Sequence, residues 1–188
     1  MERSLEVPDL RDDVITLRLP AERDIDAITA ACQDPDIPRF TRIKSPYTRA
    51  DGAQFVRDAP VHWRTGRHAL PLAICGAASD AILGSTGLHL REEPEVAEIG
   101  YWVARDARRR GIATRAVRLV SRWALGELGI QRLELMTRTD NAASQGVAER
   151  AGFTREGLLR SYITLGGALR DVYMFSLLPG DLPDIGSS

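Results

Sequence analysis

Tyr101-Trp102-Val103-Ala104-Arg105-Asp106-Ala107-Arg108-Arg109-Arg110-Gly111-Ile112-Ala113-Thr114 passes from a strand-forming stretch through a short basic loop to a glycine, and then into a helical pattern. Ile112, Ala116, Val120 and Ala124 recur at i, i+4, and Val117, Leu119 and Trp123 widen the stripe, so that face of the predicted helix belongs to a core. The N–H groups of a helix's first turn have no intrahelical partners, and the helix dipole adds partial positive charge there. Such an end suits a pyrophosphate, with Gly111 letting the backbone come close and Arg108, Arg109 and Arg110 adding charge-assisted donors. The same residues also read as a solvated arginine run before an ordinary helix. The wider pattern decides between the two.

Working outward, Val14–Pro20 alternates and predicts a strand, and Ala21–Asp34 predicts a helix stopped at Pro35. Residues 35–47, with three prolines, predict a loop, and Thr48–Thr65 a helix closed by Gly66. Strands are expected at 69–75, 82–90 and 95–104, the first two joined by a turn at 76–80. The helix at 112–126 is followed by a strand at 132–137 and a helix at 141–151 closed by Gly152. The last strands are expected at 153–157 and 171–178; residues 158–170 carry no clear pattern. After Pro179 the tail, ending Gly186-Ser187-Ser188, is expected to be loose. The order β-α-α-β-β-β-α-β-α-β-β indicates a mixed α/β sheet rather than a doubly wound one.

Composition narrows the function classes. The 188 residues suit one domain, and a formal net charge of −1 argues against a nucleic-acid partner. No apolar run is long enough to span a bilayer, and the first residues, Met1 to Pro8, lack an apolar signal segment. A cytoplasmic protein with no membrane attachment is expected. Cys32 and Cys75 are too few for a disulfide framework and too far apart for a metal knuckle; His62, His68 and His89 are also scattered, so no metal is expected.

Arg108-Arg109-Arg110-Gly111-Ile112-Ala113 resembles the Arg/Gln-x-x-Gly-x-Gly/Ala signature of the GNAT superfamily of acetyltransferases, in its required place between strand and helix. Asp140-Asn141-Ala142-Ala143-Ser144 and Ala151-Gly152-Phe153 match the Asn-x-x-Ser and Ala-Gly-Phe pattern of that superfamily. Glu98-Ile99-Gly100-Tyr101-Trp102-Val103 and Arg170-Asp171-Val172-Tyr173 point to its RimJ/RimL-like branch, which includes ribosomal-protein N-terminal acetyltransferases. The resemblance spans about residues 14–179. It implies an α/β (α+β) fold with a mixed, mostly antiparallel sheet flanked by helices, and acetyl-CoA as acyl donor. The Tyr101-Trp102-Val103 backbone would pair with the pantetheine arm, and the N–H groups of Arg109 to Thr114 would hold the pyrophosphate. Asn141 would bond the pantetheine or nearby backbone, and Ser144 would lie near the thioester sulfur. The branch implies an amine acceptor, a protein N-terminus or a small molecule, and a homodimer as readily as a monomer.

Acetyl transfer to nitrogen needs a neutral amine, a polarised thioester carbonyl and a hydrogen bond or proton for the departing thiolate. An α-amino group has a pKa of about 8 and a lysine about 10.4, so a base helps at neutral pH. Glu98, an acid in mid-strand, is the first candidate, with a place on an exposed edge or an ordinary arginine pairing as its alternative. His89, at the end of the preceding strand, is the second. A strand N–H near Val103 can polarise the carbonyl, and the Ser144 hydroxyl can serve the sulfur. Asn141 also fits a plain N-cap and Ser144 a plain first-turn serine. Tyr162 is either an acceptor-side residue or a packed aromatic. Neither cysteine adjoins a base, so direct attack in a ternary complex is expected over an acyl-cysteine route. A sensor that binds acyl-CoA without turnover, or a donor such as succinyl-CoA, stays open.

Overall fold

In the computed structural model, which describes residues 6–66, 69–93 and 95–182, the strands form one eight-stranded sheet. They are β1 (Leu10–Arg11), β2 (Ile15–Arg18), β3 (Ala69–Gly76), β4 (Ile82–Leu90), β5 (Val96–Val103), β6 (Arg132–Arg138), β7 (Thr154–Leu165) and β8 (Ala168–Leu177). The order across the sheet is β1-β2-β3-β4-β5-β6-β8-β7. Every pairing is antiparallel except β5 with β6. A chain that returns parallel must cross over the sheet, and the crossover is α4 (Ile112–Gly126). The mixed sheet expected from the element order, mostly antiparallel as the resemblance implies, is therefore the one found.

The other helices are α1 (Ile25–Ala31), α2 (Asp36–Phe40), α3 (Arg49–Thr65) and α5 (Ala142–Arg150). Helix α3 starts with a capping box: the Thr48 N–H donates to the Asp51 carboxylate at 2.8 Å and the Asp51 N–H returns to the Thr48 hydroxyl. It ends at Gly66 in the left-handed region. The stripe foreseen on α4 is buried, Ala116, Val117, Val120 and Ala124 completely or nearly so. Trp123 of that helix lies 5.5 Å, ring to ring, from Trp63 of α3.

Three local expectations need correction. The helix expected from Ala21 is confined to Ile25–Ala31. Ahead of it, the buried carboxylate of Asp24 accepts from the Ala21 N–H and from Arg18, which holds Glu22–Asp24 as a 3-10 turn. The expected loop at 35–47 contains α2. Asp34 accepts from the Asp36 N–H at 3.1 Å, and Pro35 follows it with the backbone angle a helix start needs. The patternless stretch 158–170 is the body of the β7–β8 hairpin, turning at Gly166-Gly167, both with positive φ. Its first strand, β7, is largely exposed on both faces, so no alternation marks it. Of the expected loose tail, Pro179–Asp181 forms a 3-10 turn and residues 183–188 lie outside the described residues. So do Met1 to Leu5 and His68.

Candidate functional site

The parallel pairing of β5 and β6 lasts only for Val96↔Arg132, Ala97↔Leu133 and Glu98↔Glu134. Beyond Glu98, β5 keeps its β4 partner as far as Val103, while β6 continues along β8 to Arg138. The two strands diverge, and the β6 side of Ile99–Val103 is a sheet edge opened inside the molecule. A cleft of about 1240 Å³ fills the divergence. Its walls come from β4, β5, β6, the first turn of α4, α5, residues 36–43 and the hairpin residues Ile163 and Leu165. The stretch expected as a loop at 35–47 and the stretch without clear pattern at 158–170 thus both reach the cleft.

At one end the chain leaves β5, makes a 3-10 turn at Arg105–Ala107 and enters α4. Arg109 (φ +61) and Gly111 (φ +76) both take left-handed backbone, which turns successive N–H groups toward one concavity. The N–H groups from Arg109 to Thr114 have no hydrogen-bond partner among the described residues. The sequence missed the division of labour among the arginines. Arg108 faces the protein: its Nε donates to the Val103 carbonyl at 3.1 Å, and its guanidinium pairs with Asp34 at 2.8 Å and Asp36 at 3.3 Å. Arg109 and Arg110 are exposed. In the next turn Arg115 is tied to Asp12 and Asp13, both at 2.8 Å.

Asn141 caps α5, its side-chain oxygen accepting from the Ser144 N–H at 3.1 Å. The cap reading of Asn141 is therefore met in the geometry, and the residue also borders the cleft. Ser144 Oγ lies 2.8 Å from the Tyr101 hydroxyl, which reaches it from β5. Burial pushes the Tyr101 phenol up to about 12, against the opposing pull of its Ser144 hydrogen bond and the nearby Arg150 charge. Arg150 folds back along its own helix: a β-carbon on Gly146 would meet its guanidinium at 2.9 Å. Neither this hydroxyl pair nor Arg150 is legible in the sequence, because the contact joins residues 43 positions apart.

At the opposite end of β5, Glu98 is paired across the strands with His89, so both side chains lie on one face of the sheet. Glu98 is 7% exposed. Its carboxylate pairs with Arg42 at 3.2 Å and Arg91 at 3.3 Å, and Arg91 also reaches Glu134 at 3.1 Å. The sequence left open whether Glu98 faced the site or an arginine; it does both, bordering the cleft within an ion-pair network. His89 is exposed, yet its ring lies along Gly100, where a β-carbon would come within 3.3 Å of Nε2. The protein around the ring lowers its pKa from the ordinary histidine value. Glu98 opposes that shift, and Arg42 and Arg91 reinforce it. That shift favours the neutral imidazole at pH 7.

Tyr162 is 50% exposed and borders a separate shallow depression with Leu158, so it neither packs nor lines the cleft. Cys32 and Cys75 are buried away from it, and burial pushes their thiols up to about 12 and about 11. Such thiols are poor nucleophiles at neutral pH. Among the described residues no group of three or more His, Cys, Asp or Glu side chains is placed to hold a metal ion, and no helix is long and apolar enough to cross a membrane.

Residues 15–154 match a family described as "Acetyltransferase (GNAT) domain". The chain is 30% identical over 169 residues to the uncharacterized N-acetyltransferase p20 of Bacillus licheniformis, a match covering 87% of this chain and 92% of that one. It is 36% identical over 101 residues to the ribosomal-protein-serine acetyltransferase of Escherichia coli strain K12, covering 52% and 55% of the two chains. Among solved structures, Mycobacterium smegmatis RimJ in complex with CoA-disulfide superposes with a TM-score of 0.81 at 24% identity, over 94% of this chain and 88% of that one. The spermidine N-acetyltransferase of Vibrio cholerae in complex with CoA and spermine gives 0.74 at 17% identity, over 89% and 96%. At those identities the two structures establish a shared fold.

Proposed function

Because this chain belongs to the GNAT acetyltransferases, we propose that its cleft holds acetyl-CoA and that the acetyl group passes to an amine by direct attack in a ternary complex. The observation that carries the proposal is the run of unpartnered N–H groups from Arg109 to Thr114, set at the N-terminus of α4 beside the open edge of β5. A phosphate chain satisfies such donors, and an extended amide-bearing arm satisfies a strand edge. The protein's groups thus fit a CoA thioester.

Bound acetyl-CoA supplies an activated acyl thioester. The residues around it have separable tasks. Amides 109–114 would hold the pyrophosphate, with Arg109 and Arg110 adding exposed positive charge. The Tyr101–Val103 edge would align the arm, and a strand N–H near Val103 would polarise the carbonyl. Glu98, through a water, or His89 directly would take the proton of the attacking ammonium. Ser144 would offer its hydroxyl to the leaving sulfur. Glu98 acts here as a carboxylate held in place by Arg42 and Arg91, and His89 as a base whose neutral form is favoured at pH 7.

The acceptor proposed is a protein N-terminus or a small amine, in a cytoplasmic setting. Two similar proteins are named for a ribosomal-protein serine and for spermidine as acceptors. Charge favours the N-terminus: of the cleft carboxylates Asp36, Asp58 and Glu98, Asp36 and Glu98 are paired with arginine and Asp58 accepts from Gln54, which leaves less negative charge to draw a polycation. A homodimer completes the proposal, supported by the exposed edge strand β7 with Leu158 and Tyr162 on it. Initial-rate kinetics test the ternary complex. Intersecting lines are expected, parallel lines would indicate a covalent acyl-enzyme, and comparison with succinyl-CoA tests the donor.

A further inference from the structure

We infer that Tyr101 is the residue that aims the Ser144 hydroxyl at the leaving sulfur, by donating its own hydrogen to Ser144 Oγ and leaving the serine hydrogen for the cleft. The inference rests on the reading that Ser144 serves that sulfur. Its basis is the contact between two hydroxyls, 2.8 Å apart, both bordering the cleft.

Two hydroxyls in contact must settle which one donates. A phenol is a far stronger acid than an alkanol, and the stronger acid is the better donor. Among the described residues the Tyr101 hydroxyl has no other hydrogen-bond partner, so Ser144 Oγ is the acceptor open to it. Burial keeps the phenol protonated throughout the neutral and mildly alkaline range. Once Ser144 Oγ accepts from Tyr101, its own hydrogen is free, and no described group takes it. A serine in the first turns of a helix otherwise turns its hydroxyl back to a carbonyl one turn earlier. Here that means the Asp140 or Asn141 carbonyl, and the hydrogen would then point away from the cleft. In the structure Ser144 Oγ makes no such bond and lies against the Tyr101 hydroxyl instead, and donation to Ser144 strengthens the hydrogen bond that Ser144 gives onward. The Arg150 guanidinium, folded over Gly146, adds positive charge on the same side, where a thiolate would form.

Tyr101 thus acts through Ser144 as a positioning residue. The test is a double-mutant cycle of Tyr101→Phe, Ser144→Ala and the pair, read as kcat, CoA affinity by calorimetry and Tm. Tyr101→Phe keeps the ring and its packing. The expected result is a fall in kcat of about tenfold to hundredfold for Ser144→Ala, as for a lost hydrogen bond to a charged group. Tyr101→Phe should show a similar fall, and the double variant should fall no further than Ser144→Ala alone. CoA affinity and Tm should stay near the parent's. The Tyr101→Phe deficit should also be constant from about pH 7 to 10, since no group titrates between the two hydroxyls there. Independent, multiplying losses would overturn the inference. So would a Tyr101→Phe variant with parental kcat while Ser144→Ala is slow, or a Tyr101→Phe loss that follows CoA affinity and Tm. A parental kcat in Ser144→Ala would instead refute the underlying reading of Ser144.

Discussion

Replacing Arg108 with alanine separates a strut from a phosphate ligand. The sequence offers Arg108 as a donor to the pyrophosphate; in the fold its guanidinium is spent inside the protein. The Asp34 side chain is 7% exposed, and its Oδ2 receives no hydrogen bond to replace the ion pair. Breaking a fully buried pair costs about 3–5 kcal/mol. Arg108 is itself 31% exposed, so water reaches the site and the figure falls to about 2 kcal/mol. The lost hydrogen bond to the Val103 carbonyl adds about 1 kcal/mol. A loss of about 3 kcal/mol in a chain of this size lowers Tm by about 6–12 °C. Urea or thermal unfolding of Arg108→Ala beside Arg109→Ala is the assay. Arg108→Ala should be much less stable, and Arg109→Ala, an exposed change, should unfold near the parent. If Arg108→Ala unfolds like the parent yet loses most of its CoA affinity, Arg108 is a phosphate ligand and the strut argument fails.

The glycine of the cradle should matter more than its exposed charge. Gly111 sits at φ +76 with open space around its Cα, so Gly111→Val is penalised by backbone angle, about 1–2 kcal/mol or more, rather than by a clash within the protein. Calorimetric titration should show a larger loss of CoA affinity for Gly111→Val than for Arg109→Ala; equal losses would mean that the loop binds by charge alone. CoA itself should raise stability by about 2.7 kcal/mol at a hundredfold excess over its Kd, a Tm rise of about 5–10 °C, and an absent shift at millimolar CoA would contradict the cradle. If Glu98 is the base, Glu98→Gln should cut turnover by about 10²–10⁴-fold with partial recovery at high pH, where the amine loses its proton unaided. A parental Glu98→Gln transfers the role to His89. Its pKa is lowered in the fold, so the active neutral base is present at pH 7 and is lost only as pH falls below the ordinary histidine range.

What the sequence made legible is what has a local period. The α4 stripe, the cap at Asn141, the Gly111 turn and the strands on either side of the cradle were all visible, because each is encoded within one or two turns of chain. The divergence of β5 from β6 was not. It follows from a pairing of three residues on each strand, and nothing in either strand marks where the pairing stops. The partners of Glu98 were hidden likewise: Arg42 lies in what read as a plain loop, and Arg91 just past the end of β4. Arg108, Arg109 and Arg110 are alike as letters, and their roles separate only where Asp34 and Asp36 come near the first of them. The hairpin at 158–170 left one usable sign, the Gly166-Gly167 pair between short apolar runs.

The central claim is acetyl transfer, and its direct test is a mass-spectrometric screen. The protein is incubated with acetyl-CoA and a panel of peptides with free N-termini, polyamines and amino acids. At least one amine should gain a single acetyl group while an equal amount of free CoA thiol appears, and neither should happen without the protein. Binding of CoA, seen as a Tm shift, with no acetylated amine and no thiol release above the uncatalysed rate would contradict that claim. The chain would then bind acyl-CoA without turning it over.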